Sequence, residues 1–247
     1  MNKLIDRLKR VWVMIACLWL VISGCLQVSL RTLFGKATRE STNRSLYTSS
    51  IKILNAAKST FKVRHGDNFK YLDNLPRVYL SNHLSLFDAP LFYATMPGTI
   101  RVVTKKELTK VPILGRAIMG AEQIIIDRKI PASSQNFYQD AREKLASGIS
   151  LWIFSEGTRS RTGDLLPLKM GGFRLACAAG AQIIPVGIVG TQRILSAKKA
   201  LPNLNQAIEI RVGDPIDTRG YTTPELLTEL HEKVTNMMKK LCSEEPF

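Results

Sequence analysis

From Val11 to Leu30 the chain runs for twenty residues without a formal charge, through Trp12, Trp19 and many aliphatic side chains. That length is what a helix needs to cross the hydrocarbon layer of a bilayer. Ser23, Gly24, Gln27 and Ser29 weaken the second half of the run. Basic residues stand on both sides, Lys3, Arg7, Lys9 and Arg10 before it and Arg31, Lys36 and Arg39 after it, so charge asymmetry gives no orientation. Three readings compete: a single span, an embedded hairpin or interfacial anchor returning to the same side, and a cleaved signal. The anchor is preferred. Ile22-Ser23-Gly24-Cys25 fits the pattern at which bacterial lipoproteins are cut and acylated, but four residues in an apolar run meet such a pattern easily by chance.

The net charge of +15 suggests a polyanionic partner: a nucleic acid, an anionic membrane or an acidic protein. It is concentrated at the front, where residues 1–75 hold 13 Lys and Arg against 4 Asp and Glu. Next to an apolar run, that surplus reads as contact with an anionic membrane. The chain has no helix-turn-helix, finger or aromatic-interleaved basic strand that would favour nucleic acid.

Beyond the apolar run, Ser41 to Asn43 suggest a polar turn leading into a helix. Strand-like runs at Phe61–Arg64, Val78–Leu80, Thr99–Val103, Ile124–Ile126, Ser150–Ile153, Ile183–Val189 and Ile208–Val212 then alternate with helical stretches. The helices are expected near Leu91–Tyr93, over Leu108–Met119 with a break at Pro112, from Ser133 or Ser134 to Leu145, over Gly171–Ala179, and from Pro224 to Leu241. This alternation implies an α/β fold, a mostly parallel central sheet flanked by helices, with an N-terminal membrane-associating helical segment. The division expected is an anchoring region over residues 1–59 and a catalytic domain over residues 60–247. Cys17, Cys25, Cys177 and Cys242 are scattered and show no metal-ligand or redox spacing, so inert buried thiols are expected.

Two stretches carry chemistry. In Asn82-His83-Leu84-Ser85-Leu86-Phe87-Asp88, His83 and Asp88 are five residues apart, which would place them on different faces of one helix. At a strand-to-helix junction they can meet, with His83 in the turn and Asp88 in the first helical turn. Asp88 would then hold one imidazole nitrogen and leave the other to take a proton from a hydroxyl. The bland alternative is an acidic residue well placed at a helix start. Seventy residues on, Phe154-Ser155-Glu156-Gly157-Thr158-Arg159-Ser160 follows a second strand-like run.

Together these blocks resemble the signature pair of the glycerolipid acyltransferase family, whose best-known bacterial members are 1-acylglycerol-3-phosphate acyltransferases. Gly120–Arg128 and Ile184–Gly187 resemble two weaker blocks of the same family, and Thr104–Leu108 a basic segment between the first two. The resemblance covers roughly residues 60 to 215. Ser155 stands where the family usually has proline.

The resemblance implies transfer of an acyl group from a thioester, acyl-CoA or acyl-ACP, to 1-acyl-sn-glycerol 3-phosphate, giving phosphatidic acid. No cofactor is implied beyond the co-substrate. It implies His83 and Asp88 as catalytic residues, and Lys105, Arg128, Glu156, Gly157 and Arg159 as acceptor-binding residues; Thr158, between the last two, is counted with the substrate-binding set. Backbone N–H groups at the Gly157-Thr158 turn or near His83 are candidate donors for the oxyanion. Glu156 is expected to orient Arg159 or a substrate hydroxyl. Alternative acceptors are glycerol 3-phosphate, another lysophospholipid or a lyso-aminolipid. A rival from another class is a non-catalytic anionic-lipid-binding protein on the same scaffold.

No G-x-S-x-G elbow is present and no cysteine has a basic neighbourhood, so direct transfer without an acyl-enzyme is expected. His65 and His231 read as structural. An activated acyl donor places the catalytic domain on the cytosolic face of the inner membrane.

Overall fold

The computed structural model describes residues 2–66, 77–127 and 135–243. Its elements in chain order are α1 (Asn2–Leu33), α2 (Arg39–Ala56), β1 (Thr60–His65), β2 (Arg77–Ser81), α3 (Asp88–Thr95), β3 (Ile100–Lys105), a 3-10 turn (Lys106–Lys110), α4 (Leu114–Gly120) and β4 (Ile124–Ile126). Then follow α5 (Gln135–Ala146), β5 (Ser150–Phe154), α6 (Gly171–Ala179), β6 (Gln182–Val189), α7 (Thr191–Ile194), β7 (Ala207–Val212) and α8 (Pro224–Cys242). The strands form one sheet in the order β1-β7-β6-β2-β5-β3-β4. Every pairing between these strands is parallel except β6 with β7.

β2 lies between β6 and β5, is buried on both faces, and puts its last residue, Ser81, opposite Phe154 on one side and Val186 on the other. The carboxyl ends of β2, β3, β4, β5 and β6 therefore share one edge. That is where ligands enter open α/β sheets. One apolar layer packs α2 and α3 over Tyr79, Trp152, Ile184, Ile188 and Ile210; Phe92 stacks on Trp152 at a 3.9 Å centroid separation. On the other face α5, α6 and α8 cover Val78, Leu80, Leu151 and Ile183. Gly172 lets α6 approach closely, since a Cβ there would meet Leu80 Cδ2 at 2.8 Å.

The apolar run forms one unbroken helix. At 1.5 Å per residue α1 is roughly 48 Å long. Nothing folds back within residues 11–30; the reversal comes at Gly35, whose φ of 64° is left-handed, and leads into α2. α1 exposes Leu4, Leu8, Trp12, Ile15, Trp19, Ile22, Leu26, Leu30 and Leu33, spaced three or four apart along one face. Its other face is fastened to the domain. Cys17 joins the core over the sheet, Val28 packs on Ala117 and Ala121, and Ser29 Oγ donates to the Ile113 carbonyl at 2.7 Å. Near its start Arg10 Nε donates to the Pro202 carbonyl at 2.7 Å.

One expectation fails just beyond. Ser41 to Asn43 lie inside α2, not in a turn, because Thr38 caps the helix: its side chain accepts from Ser41 N while Ser41 Oγ accepts from Thr38 N. Ser133 and Ser134 lie outside the described residues.

Candidate functional site

β2 ends at Ser81, and the chain must leave the sheet while β6 continues beside it. Asn82 bridges the gap. Its side chain accepts from Ile188 N at 2.7 Å and donates to Ile188 O at 2.9 Å, standing in for one more pair of ladder bonds. The turn that follows brings the predicted pair together: His83 Nδ1 lies 2.7 Å from Asp88 Oδ2.

Asp88 is fully buried, and the same Oδ2 accepts the main-chain N–H of Leu84 at 2.7 Å and of Ser85 at 2.9 Å. Its other oxygen accepts from the Thr191 hydroxyl. A buried carboxylate is tolerable only with such a set of donors. His83 keeps about a fifth of its side chain exposed and stacks on Phe154 at 3.7 Å. Nε2 has no hydrogen-bond partner among the described residues.

The second block closes over the first. Ser155 N and Oγ both donate to Ser81 O at 2.9 Å, and Ser160 N donates to His83 O at 2.7 Å. Serine in place of the family's proline thus supplies two donors to the strand end. Glu156 does not orient Arg159. Its oxygens accept the main-chain N–H of His83 at 3.0 Å and of Leu166 at 2.9 Å, so it ties the two blocks together. Burial pushes its carboxyl up to about 7; the Leu166 and His83 N–H groups oppose the rise and the Asp88 carboxylate adds to it.

Gly157 has φ 72°, in the left-handed region, and a Cβ there would sit 2.8 Å from Lys169 Nζ. Arg159 is half-buried, and Thr158 and Lys105 are exposed. Arg159 and Lys105 have no hydrogen bond or ion pair among the described residues. Lys105 closes β3, so it shares the dyad's edge of the sheet, while Arg128 lies outside the described residues.

Sequence reasoning missed Asn82, Thr191 and Lys169. An Asn closing a strand-like run was a visible signal for the first; the other two meet the site only through the fold. His231 is structural as expected, with Nε2 2.9 Å from the Leu168 carbonyl. All four cysteines are free, and burial pushes the Cys242 thiol up to about 12. No group of metal-ligating side chains exists among the described residues.

A cavity of about 320 Å3 lies between α1, α2, α3, α4 and β3, lined by Val21, Gly24, Ile53, Leu86, Tyr93, Val102, Leu114, Ile118 and others. Near it Leu86, Leu108, Val111, Ile113 and Met119 expose apolar surface.

Comparison with known proteins agrees with this architecture. An uncharacterised acyltransferase of Schizosaccharomyces pombe is 36% identical over 167 residues, 66% of this chain and 60% of the relative. The Homo sapiens 1-acyl-sn-glycerol-3-phosphate acyltransferase alpha is 31% identical, over 66% of this chain and 57% of its own. The Haemophilus influenzae 1-acyl-sn-glycerol-3-phosphate acyltransferase is 34% identical, over 59% of this chain and 60% of its own. The matched region thus spans less than two thirds of each relative's length. The crystal structure of a 1-acyl-sn-glycerophosphate acyltransferase, PlsC, from Thermotoga maritima superposes with a TM-score of 0.77 at 23% identity, covering 98% of this chain and 97% of that one, and so shares the fold. The acyltransferase family model matches residues 61–189, just over half of the chain and including both blocks of the site; the protein is a member of the acyltransferase family.

Proposed function

We propose that the protein transfers an acyl group from a thioester, acyl-CoA or acyl-ACP, to the free hydroxyl of 1-acyl-sn-glycerol 3-phosphate, yielding phosphatidic acid. The observation that carries this reading is the 2.7 Å contact of His83 Nδ1 with Asp88, which leaves Nε2 without a partner among the described residues, on a side chain about a fifth exposed. Asp88 keeps the proton on Nδ1, so Nε2 is the acceptor. As the acceptor oxygen attacks the thioester carbonyl, its proton passes to Nε2. The tetrahedral intermediate then expels the thiolate by breaking the C–S bond, and the proton on His83 goes to the sulfur.

Donors for the oxyanion are narrowed by what is already engaged. The N–H groups of His83, Leu84 and Ser85 go to Glu156 and Asp88, and that of Gly157 goes to the Phe154 carbonyl. The main-chain N–H of Thr158 is free of partners among the described residues and suits this role. Arg159, Lys105 and Lys169 supply the cations for the acceptor's phosphate, with Arg159 able to bind bidentately.

Relatives 31% and 34% identical over the matched region bear the name 1-acyl-sn-glycerol-3-phosphate acyltransferase, which supports this acceptor over the others. The apolar cavity suits an acyl chain, and the exposed stripe of α1 suits a bilayer supplying the lysolipid. Residues 1–59 then serve as anchor and residues 60–247 as catalytic unit, on the cytosolic face of the inner membrane where acyl thioesters are made.

The test is an assay of the purified full chain with an acyl thioester and a panel of acceptors: 1-acyl-glycerol 3-phosphate, glycerol 3-phosphate, other lysophospholipids and a lyso-aminolipid. We expect the first to be acylated fastest, with His83→Ala lowering turnover by at least about 10². A folded His83→Ala variant of full activity removes the mechanism, and preference for another acceptor removes the substrate.

A further inference from the structure

Asp88 is gripped from two directions. The donors to Oδ2, namely His83 Nδ1 and the N–H groups of Leu84 and Ser85, all belong to the turn that carries the dyad. The donor to Oδ1 comes from a distant part of the chain, just past the end of β6: it is the hydroxyl of Thr191, a residue with no exposed surface. An ionised carboxylate only accepts, and a threonine hydroxyl has one proton, so the direction of this bond is fixed from Thr191 to Asp88.

The main chain is shaped to deliver that hydroxyl. β6 ends at Val189, and Gly190, at φ 87°, turns the chain so that Thr191 becomes the first residue of α7. The segment is then tied down on its far side. Ser85 Oγ donates to Leu195 O at 2.7 Å, while Asn203 donates to Ile194 O and Arg193 O, each at 2.7 Å. Thr191 is therefore held as firmly as the carboxylate it touches.

Bonds to Oδ2 alone leave the carboxylate free to pivot about that oxygen. We propose that Thr191 is a positioning residue for the dyad: its hydroxyl pins Asp88 Oδ1, so that Oδ2 stays in line with His83 Nδ1 and Nε2 faces the acceptor. This rests on the assignment of His83 as the base.

The experiment uses the full chain in detergent with thioester and lysophosphatidic acid, and compares Thr191→Val, Thr191→Ser, Asp88→Asn, the double variant Asp88→Asn with Thr191→Val, and His83→Ala. Losing one hydrogen bond to a charged acceptor should lower kcat about 10- to 100-fold in Thr191→Val, with the KM of both substrates within about twofold. Thr191→Ser keeps the donor and should stay within about threefold of the parent. In the Asp88→Asn background Thr191→Val should cost nothing more, because the hydroxyl acts through that carboxylate. The proposal falls if Thr191→Val keeps the parent kcat, if serine does not rescue, or if the loss repeats undiminished in the Asp88→Asn background. His83→Ala separates the two layers: its inactivity beside a fully active Thr191→Val sinks only the role of Thr191, whereas its full activity sinks the base as well. Thermal unfolding checks the fold; if Thr191→Val does not fold, Thr191→Ala takes its place in the same cycle under the same criteria.

Discussion

Replacing Glu156 with glutamine should remove a pH dependence of stability that this buried carboxylate imposes. The side chain lies in a residue 2% exposed, and burial lifts its carboxyl from 4.5 to about 7. Between those values the folded state holds a proton that the unfolded state has released. The contribution of Glu156 is therefore fully present below about pH 4.5 and is lost as pH rises through about 7. A shift from 4.5 to about 7, at about 1.4 kcal/mol per unit, sets a ceiling of roughly 3 kcal/mol. The glutamine has its own cost at every pH. Both carboxylate oxygens face N–H donors, from His83 and Leu166, so the amide nitrogen must confront one of them. An unsatisfied buried donor costs about 1–3 kcal/mol. Glu156→Gln should thus be the less stable protein near pH 5, and the gap should close or reverse near about pH 8.5. Denaturant unfolding in detergent at several pH values measures it, and the difference between parent and variant cancels the titration of distant groups. A difference that stays constant or widens with rising pH would refute the reasoning.

Asp88→Asn should lower kcat in the direction of His83→Ala, by at least about 10², because the amide no longer enforces the His83 tautomer; steady-state assays at saturating substrate check it. Arg159→Ala should raise the KM of the phosphate-bearing acceptor and spare that of the donor, with Arg159→Lys restoring little since the planar fork is lost; an unchanged acceptor KM in both would place the phosphate elsewhere. Trp12→Glu with Trp19→Glu should weaken sedimentation with anionic vesicles by at least about 10², since each buried aromatic is worth roughly 1.5–3 kcal/mol, whereas high salt alone should not release the parent. Gly172→Ala should destabilise the fold by about 1–3 kcal/mol in denaturant unfolding, as the added methyl meets Leu80 at 2.8 Å.

The strands were legible as short runs rich in apolar and β-branched residues, alternating with charged ones in β1 and β7, and the spacing of His83 and Asp88 at a strand-to-helix junction allowed the pairing the fold contains. The reversed direction of β7 and β1 was not legible, since alternation of apolar residues is the same read either way. The inward tie of Glu156 was not legible for a related reason. In sequence it sits three residues from Arg159, but burial turns its carboxylate inward to main-chain donors, and burial is a property of the packed fold. Thr191 lies 103 residues from Asp88, so no local spacing connects them. The charge-free run was correctly read as helical, but its continuity to Leu33 and its fastening to the domain depend on partners such as Pro202 and Ile113, far away in the chain.

That fastening has a mechanical consequence. A free membrane helix relieves a mismatch with the bilayer by tilting on its own. α1 has no such freedom, because Arg10 near one end, Cys17 in the middle and Ser29 near the other are each fixed to the body of the protein. Any tilt of α1 rotates the sheet and its catalytic edge by the same angle. In the proposed seating of its apolar stripe in lipid, the helix would act as a keel: the height of His83 above the acyl chains would be set by the rigid body, and a thicker or thinner bilayer would have to deform around the protein.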